Sequence, residues 1–285
     1  MTETVIGLQS ALDVVSFLEQ HNGKLIINIS TDAVGHVLSE LDNFARMRLT
    51  GELDPNGFHL YMGAPEERME TICSLYGNSL LPVTFLSKLA PEMVRSIALF
   101  RPDLTMDVGI SSFKVAPIKG KTTSSEIMPG QYSVYRTDLQ SLIGDTSAYY
   151  RRKLETYQHS LMCQHFPMVE ELEKFIGAGG KPIAIVQIKD TSSSGGPEAS
   201  DPGTYIPALE YLKESGYHLV QAGREHHPGA FSRLGMVDYA NSPLASFAND
   251  FSLFSNASFC LLGPSGVFFF AELMNKPFVL TNSWW

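Results

Sequence analysis

The chain has 285 residues, 44% hydrophobic and 18% charged, so it is long enough for two domains and too apolar for bulk disorder. Its formal net charge of -9 argues against a general nucleic-acid-binding protein, which needs a basic surface to neutralise phosphates. Cys73, Cys163 and Cys260 lie far apart and form no CxxC pair, so neither a disulfide framework nor a zinc cluster is expected.

Strands alternate with helices through the first part of the chain. The hydrophobic pattern predicts helices over 8–20, 36–49 and 66–76 and strands over 24–30, 58–63 and 80–85. The helix over 36–49 is predicted to be amphipathic, with its apolar residues on one side. Residues 101–150 are compatible with short strands or with an acceptor-side loop, and a helix is predicted to begin near Thr146. This alternation indicates a parallel α/β sheet.

A Gly-rich segment at 177–182 marks a change in composition. It predicts a hinge between an N-terminal domain over 1–176 and a C-terminal domain over 181–285. The segment precedes a strand, whereas the dinucleotide fingerprint GxGxxG follows one, so that motif is excluded. Around and after it the pattern predicts helices over 168–176, 205–215 and 244–254 and strands over 182–188, 217–222 and 236–239.

The segment 257–282 is the most informative part of the chain. An apolar strand containing Cys260 leads into the turn Gly263-Pro264-Ser265-Gly266, an apolar helix follows, and a strand begins near Phe278. A turn of this kind leaves backbone N–H groups at a helix start, where the helix dipole favours an anion. Many α/β proteins contain such units without binding anything, so a purely structural role is the alternative.

Several short sequence segments, in both halves of the chain, are informative when they are taken together. Residues 32–36 (DAVGH) lead into residues 40–44 (ELDNF) in the first half. The second half contains 186–190 (VQIKD), 205–212 (YIPALEYL) and 216–223 (GYHLVQAG), followed by Asp238-Tyr239, Asp250 and Ser265-Gly266. With these patterns the chain resembles a bacterial glycosyltransferase family of the GT-B class over most of its length.

The resemblance implies two Rossmann-like α/β domains that face a cleft, with a short carboxyl domain. It further implies metal-independent transfer of a sugar from a nucleotide-sugar donor to a hydroxyl of a carbohydrate, lipid-linked or protein acceptor. No cofactor is expected, and the chain has no Asp-x-Asp pair, the usual metal-holding signature of the other main glycosyltransferase class. His226 and His227 are adjacent, and adjacent histidines of a regular element cannot face one ion.

Two residues are candidates for catalysis on the acceptor side. His36 stands at a predicted helix start after a strand, and histidine suits a base near neutral pH. Glu40 lies one turn later on the same helix face and could orient it. The structural alternatives are a capping or core histidine and a solvated glutamate.

Seven residues are candidates for the donor side. Lys189, Asp190 and Arg224 follow predicted strand ends, where open α/β sheets bind ligands. Ser265 and Gly266 would hold the diphosphate at the helix start. Glu272 would either accept hydrogen bonds from a ribose or sugar hydroxyl or serve as a buried cap. Asp238 completes the set, although a structural cap or a hinge-facing role is favoured for it. Surface ion pairs are the alternative for Lys189, Asp190 and Arg224. Lys189 stands where the family suggests an arginine, whose forked donors a lysine lacks.

Three other functions fit the sequence to different degrees. A non-catalytic nucleotide-binding module is the main rival, because the chain stops at Trp285 directly after a predicted strand and a partner chain could complete the carboxyl domain. A sugar-nucleotide epimerase shares the fold and the Ser-Gly turn. A serine hydrolase is disfavoured, because Val267 stands where a nucleophile elbow needs glycine and no histidine follows Ser265.

The amino terminus and the hydrophobic pattern predict a cytoplasmic protein. Residues 1–4 (MTET) lack the positive charge that precedes the apolar segment of a signal peptide. No run of about 18 uninterrupted apolar residues occurs, so no transmembrane segment is expected.

Overall fold

The computed structural model describes residues 10–27, 34–54, 58–62, 71, 83–86, 91–108, 113–115, 133–135, 139–156, 166–189, 199–223 and 231–282. Contacts group the chain into two compact units, Met1–Leu161 and Met162–Trp285. The point of division therefore lies upstream of the Gly-rich segment at 177–182. Within the described ranges, no helix is both long enough and apolar enough to cross a membrane.

The first unit is built on a parallel four-stranded sheet with the order β3-β2-β1-β4. Its strands and helices follow in chain order: α1 (Ala11–Gln20), β1 (Gly23–Ile27), α2 (Val34–Leu49), β2 (Phe58–Met62), β3 (Val83–Leu86), α3 (Pro91–Phe100), β4 (Thr105–Asp107), β5 (Phe113–Val115), β6 (Ser133–Tyr135) and α4 (Leu139–Glu155). β5 and β6 form a separate antiparallel pair. The chain runs outward from β1 through β2 to β3 and then crosses to β4 on the other side of β1. The switch point of this sheet therefore lies between β1 and β4.

Two helices of the first unit differ from the sequence prediction. α3 has no predicted counterpart, although Pro91 stands at its first position, where proline favours a helix start. α4 begins at Leu139 rather than near Thr146. Its first turns contain Gly144, a residue of low helix propensity, which is why the sequence predicts a later start. The helix predicted over 66–76 lies outside the described residues except at Thr71, which is helical.

From Val37 to Arg46 the helix α2 is buried on all sides rather than on one face. Its polar residues Ser39, Glu40, Asp42, Asn43 and Arg46 are buried together with its apolar ones. Asp42 Oδ2 accepts hydrogen bonds from Arg46 Nε at 2.8 Å and from the hydroxyl of Tyr149 on α4 at 2.7 Å. The predicted polar face is therefore covered by α4, and the amphipathic prediction holds only for the apolar side.

The second unit is a parallel five-stranded sheet with the order β11-β10-β7-β8-β9. Its elements are α5 (Glu170–Ile176), β7 (Ile183–Gln187), α6 (Ile206–Glu214), β8 (His218–Gln221), β9 (Val237–Asp238), α7 (Phe247–Ser255), β10 (Ala257–Leu262), α8 (Phe268–Leu273) and β11 (Phe278–Leu280). The chain runs outward from β7 through β8 to β9 and then crosses to β10 and β11. The switch point of this sheet therefore lies between β7 and β10.

Continuous apolar strands explain this arrangement. All five residues of β7 are buried, as expected for the central strand of a parallel sheet that helices cover on both faces. On one face Ala184, Val186 and Ile188 pack with Leu209 and Leu212 of α6. A cluster of aromatic rings joins α7 to α8; it consists of Phe247, Phe251, Phe254 and Phe270.

Candidate functional site

The carboxyl ends of β7 and β10 meet at the switch point of the second sheet. Gln187 is the last residue of β7 and lies in register with Leu262, the last residue of β10. The N–H of Gly263 donates to the backbone oxygen of Gln187 at 2.8 Å and also lies 3.2 Å from Gln187 Oε1. Open α/β sheets bind ligands at such a position, so this edge is the candidate functional site.

Gly263 allows the two strand ends to approach closely. A Cβ at this position would lie 3.3 Å from the backbone nitrogen of Lys189, 3.5 Å from Gln187 Oε1 and 3.6 Å from the Gln187 backbone oxygen. Its φ is outside the left-handed region, so the requirement for glycine is one of space and not of backbone conformation.

The side chain of Gln187 was missed as a site residue by sequence reasoning. It is fully buried, and its Nε2 has no hydrogen-bond partner within the part of the chain that the structure describes. The contact of Oε1 with the Gly263 N–H fixes which end of the amide is oxygen and which is nitrogen. The available signal was one polar residue that ends an otherwise apolar strand.

The turn at Ser265 and Gly266 uses most of its own donors. Ser265 Oγ accepts the N–H of Val267 at 3.3 Å, and the N–H groups of Phe268, Phe269 and Phe270 donate to carbonyl oxygens of 265–267. The helix that follows, α8, has only 6 residues, so its dipole is small. Fewer N–H groups point outward than the sequence predicts. The N–H of Gly266 has no acceptor within the described ranges.

Lys189 lies two residues beyond β7 and is partly buried. Its backbone oxygen accepts the N–H of Ser200 at 2.7 Å, which holds the chain after residue 198 close to the strand end. Asp190 and Arg224 lie outside the described residues, so their predicted roles stay predictions.

A group of hydroxyl and amide side chains lies at the carboxyl ends of β10 and β11, and sequence reasoning missed it. The hydroxyl of Tyr205 lies 2.6 Å from Thr281 Oγ1 and donates to Ser200 Oγ at 3.1 Å, and Asn282 Nδ2 donates to Ser200 Oγ. Thr281 Oγ1 in turn donates to the Leu262 oxygen at 3.1 Å. This network ties the segment before α6 to the strand ends beside Gly263.

The two other described donor candidates occupy different places. Asp238 is exposed on the edge strand β9, two strands from β7 and hence roughly 10 Å from it. Its carboxylate accepts hydrogen bonds from the backbone and side chain of Asn241, which is the capping role named as its alternative. Glu272 is partly buried in α8, beyond the Ser265 turn.

The acceptor-side candidates both lie in α2. His36 is in the first turn of the helix, and only its backbone is described. Glu40 is fully buried, so the solvated glutamate proposed as its alternative does not occur. Asn43 Nδ2 donates to the oxygen of Val108 at 2.9 Å, which fixes α2 to the chain that follows β4. Because α2 follows β1 in the chain and β1 lies between β2 and β4, the amino-terminal end of α2 lies near the switch point of the first sheet.

Titratable groups near the second sheet are held in their protonated forms by burial. Burial raises the pKa of the Cys260 thiol to about 12, although Lys276 opposes the shift. Burial and the charge of Asp250 raise the pKa of Tyr239 far above its ordinary value. Neither group is therefore suited to act as a base near neutral pH. In the described ranges, no three His, Cys, Asp or Glu side chains form a group that could hold a metal ion.

The chain matches no protein-family profile and no curated protein, but it is similar to solved structures. The iron-containing dodecameric glycosyltransferase TibC from enterotoxigenic E. coli H10407 is 16% identical with a TM-score of 0.50, over 96% of this chain and 59% of that chain. The E. coli heptosyltransferase WaaC with ADP is 11% identical with a TM-score of 0.47, over 90% of this chain and 86% of that chain.

The similarity to TibC is one of fold. Together with the two parallel sheets it confirms the predicted fold class, an α/β chain with two Rossmann-like units of the GT-B type. This chain spans 59% of the length of the TibC chain.

Proposed function

We propose that the chain is a metal-independent glycosyltransferase that binds a nucleotide-sugar donor at the carboxyl edge of its second sheet. The observation that carries the proposal is the junction of β7 and β10, where Gly263 and Gln187 form a closely packed strand end at the switch point. The glycosyltransferase fold supports the same conclusion. The acceptor is a carbohydrate, lipid-linked or protein hydroxyl, and the cytoplasm is the proposed location.

The donor residues divide by the part of the donor they would contact. Ser265 and the N–H of Gly266 are proposed to bind the diphosphate, whose charge Lys189 and Arg224 offset. Asp190, Asp238 and Glu272 are proposed to accept hydrogen bonds from ribose or sugar hydroxyls. Because the N–H groups of residues 267–270 donate inside the turn, basic side chains carry more of the diphosphate binding than the turn itself.

The chemistry requires a base and a stabilised leaving group. We assign the base to His36, which takes the proton of the acceptor hydroxyl as that oxygen bonds to the anomeric carbon and the bond to the diphosphate breaks. Positive groups around the departing diphosphate stabilise its charge. The buried Glu40 is proposed to orient His36, because a carboxylate shielded from water interacts more strongly with a neighbouring imidazole.

The alternative is a nucleotide-binding module that does not catalyse transfer. The donors used within the Ser265 turn and the short α8 favour it, because they leave fewer groups to stabilise a leaving diphosphate. A partner chain would then supply the missing groups. A sugar-nucleotide epimerase remains the third possibility from the sequence.

Calorimetric titration of the full chain with UDP, GDP, ADP, CMP and TDP, first without metal and then with magnesium, tests the proposal. We expect metal-independent binding of one nucleotide, abolished in Ser265→Trp. Ser258→Trp is the matched control, because Ser258 is an exposed residue near the amino end of β10, the strand that leads into the Ser265 turn. Absence of binding to all five nucleotides contradicts the proposal, as does equal binding by Ser265→Trp.

Turnover separates the transferase from the module. With the bound nucleotide identified, the corresponding nucleotide sugars are supplied and release of the nucleotide is followed. Slow donor hydrolysis that is lost in His36→Asn, with nucleotide affinity retained, supports the assigned base. Nucleotide binding without turnover of any such donor favours the module.

A further inference from the structure

The side-chain amide of Gln187 carries an unmet hydrogen-bonding capacity. It is fully buried, its Oε1 accepts the N–H of Gly263, and its Nε2 has no acceptor within the part of the chain described. A primary amide nitrogen carries two N–H donors, and burying such donors without acceptors is unfavourable. The amide can therefore take a hydrogen-bond acceptor that a ligand or an internal water molecule supplies.

The place of this amide in the fold points to a ligand. Gln187 ends β7 opposite Leu262, so its side chain lies at the switch point between β7 and β10. Side chains alternate along a strand, so Gln187 lies on the face opposite Val186, which packs with α6. Its contact with Gly263 places the amide against the first residue of the turn that leads to α8.

The groups around this point are hydrogen-bond donors. They are the Nε2 of Gln187 and the N–H of Gly266, which has no acceptor in the described ranges. Lys189, a basic residue, follows two positions after β7. A ligand that matches a set of donors carries several acceptor oxygens, and a diphosphate is such a group.

We propose that Gln187 Nε2 donates a hydrogen bond to a diphosphate oxygen of the bound donor, an inference that rests on the function proposed above. Gln187 is then a donor-binding residue that the sequence patterns do not single out. As a neutral amide it fixes the direction of one oxygen without adding charge. An internal water molecule is the alternative occupant, and it would satisfy the amide without any effect on ligand affinity.

Two substitutions test the assignment in the full chain. Gln187→Met removes the donor and keeps the length of the side chain, whereas Gln187→Glu keeps an acceptor for the Gly263 N–H and places a negative charge beside the diphosphate. Calorimetry with UDP, GDP, ADP and TDP is expected to show affinity weakened roughly ten- to hundredfold for Gln187→Met, the range for a hydrogen bond to a charged group, and at least as much for Gln187→Glu. Inorganic pyrophosphate, measured as a competitor, is expected to lose affinity by a similar factor.

Gln221→Met is the matched control. Gln221 is a buried glutamine at the end of β8, on the side of β7 away from β10, and its variant is expected to bind as the wild type does. Circular dichroism melting verifies folding, and Gln187→Glu decides the matter if Gln187→Met does not fold.

Each other result overturns the inference. Unchanged nucleotide affinity in Gln187→Met shows a packing or water-binding role and leaves the proposed function standing. Weaker nucleotide binding with unchanged pyrophosphate affinity excludes the phosphate contact. An equal loss in Gln221→Met shows a general effect of the substitution. A wild-type chain that binds none of the nucleotides overturns the proposed function together with the inference.

Discussion

Replacing Gly263 by alanine adds one methyl group at the point where the ends of β7 and β10 meet. That methyl group would lie 3.3 Å from the Lys189 nitrogen and 3.5 Å from Gln187 Oε1. The first contact is tighter than carbon and nitrogen atoms normally allow, and its partner is backbone that cannot rotate away. The turn must therefore move outward from β7, which lengthens the 2.8 Å hydrogen bond from the Gly263 N–H.

The expected cost is the balance of two effects. Overpacking a close contact destabilises a protein by about 1–3 kcal/mol, whereas alanine lowers the entropy of the unfolded chain and returns about 0.4–1 kcal/mol. Gly263→Ala should therefore lower the free energy of unfolding by about 0–2.6 kcal/mol. Because the turn also carries Ser265 and Gly266, nucleotide affinity should fall as well, and it should fall further than in the surface variant Gly144→Ala.

Urea denaturation measures the first effect and calorimetric nucleotide titration the second. Gly144→Ala is the matched control, because a Cβ there meets nothing within 4 Å and the site is an exposed position in α4. That variant should gain roughly 0.5–1 kcal/mol from helix propensity and leave nucleotide affinity unchanged. A Gly263→Ala protein that is as stable as Gly144→Ala and binds nucleotide as the wild type does would refute the argument from space.

Two further predictions concern buried groups. Asp42→Ala leaves the Arg46 guanidinium buried without its carboxylate and should lower the free energy of unfolding by about 3–5 kcal/mol. Asp42→Ala combined with Arg46→Met should recover much of that loss. Urea denaturation measures both variants, and a double variant no more stable than the single one contradicts the ion-pair account. The pKa of Cys260, raised to about 12 by burial from an ordinary value of 9.0, means that the unfolded chain loses the thiol proton first. The stability contributed by this group is present below pH 9.0 and is lost as the pH rises toward about 12, so Cys260→Ala should show a shallower alkaline decline in unfolding free energy; an identical decline contradicts it.

The strands of the second unit could be predicted from the sequence, whereas the surroundings of a helix such as α2 in the first unit could be predicted only in part. The apolar runs around Val186, Val220 and Cys260 identify buried strands, because a strand covered on both faces has no polar alternation to obscure it. Burial of the polar side of α2 could not be predicted, since it depends on α4, which lies about a hundred residues further along the chain. Local periodicity contains no information about which element covers a polar face.

The candidate site, too, could be predicted from the sequence only in part. The Ser265 turn is visible as a motif, but the fate of its N–H groups depends on how tightly the turn winds, and the structure shows most of them donating within it. Gln187 is visible only as a polar residue that ends an apolar run. Its significance comes from an amide nitrogen without an acceptor among the described residues, which is a property of three-dimensional packing.

The two units use the same sheet topology but prepare their switch points for different chemistry. In the first unit a side chain of α2 fixes the helix to the end of β4, and the polar groups that accompany it include two buried carboxylates, Glu40 and Asp42. Asp42 is bonded to Arg46 and Tyr149, so Glu40 is the carboxylate to which the proposed function gives the orientation of His36. In the second unit the strand ends instead carry the donors of Gln187 Nε2 and the Gly266 N–H, which suit an anion. Transfer of a sugar away from a diphosphate would need both a positioned base and a site for the anion, and the proposed function places the first in the first unit and the second in the second unit.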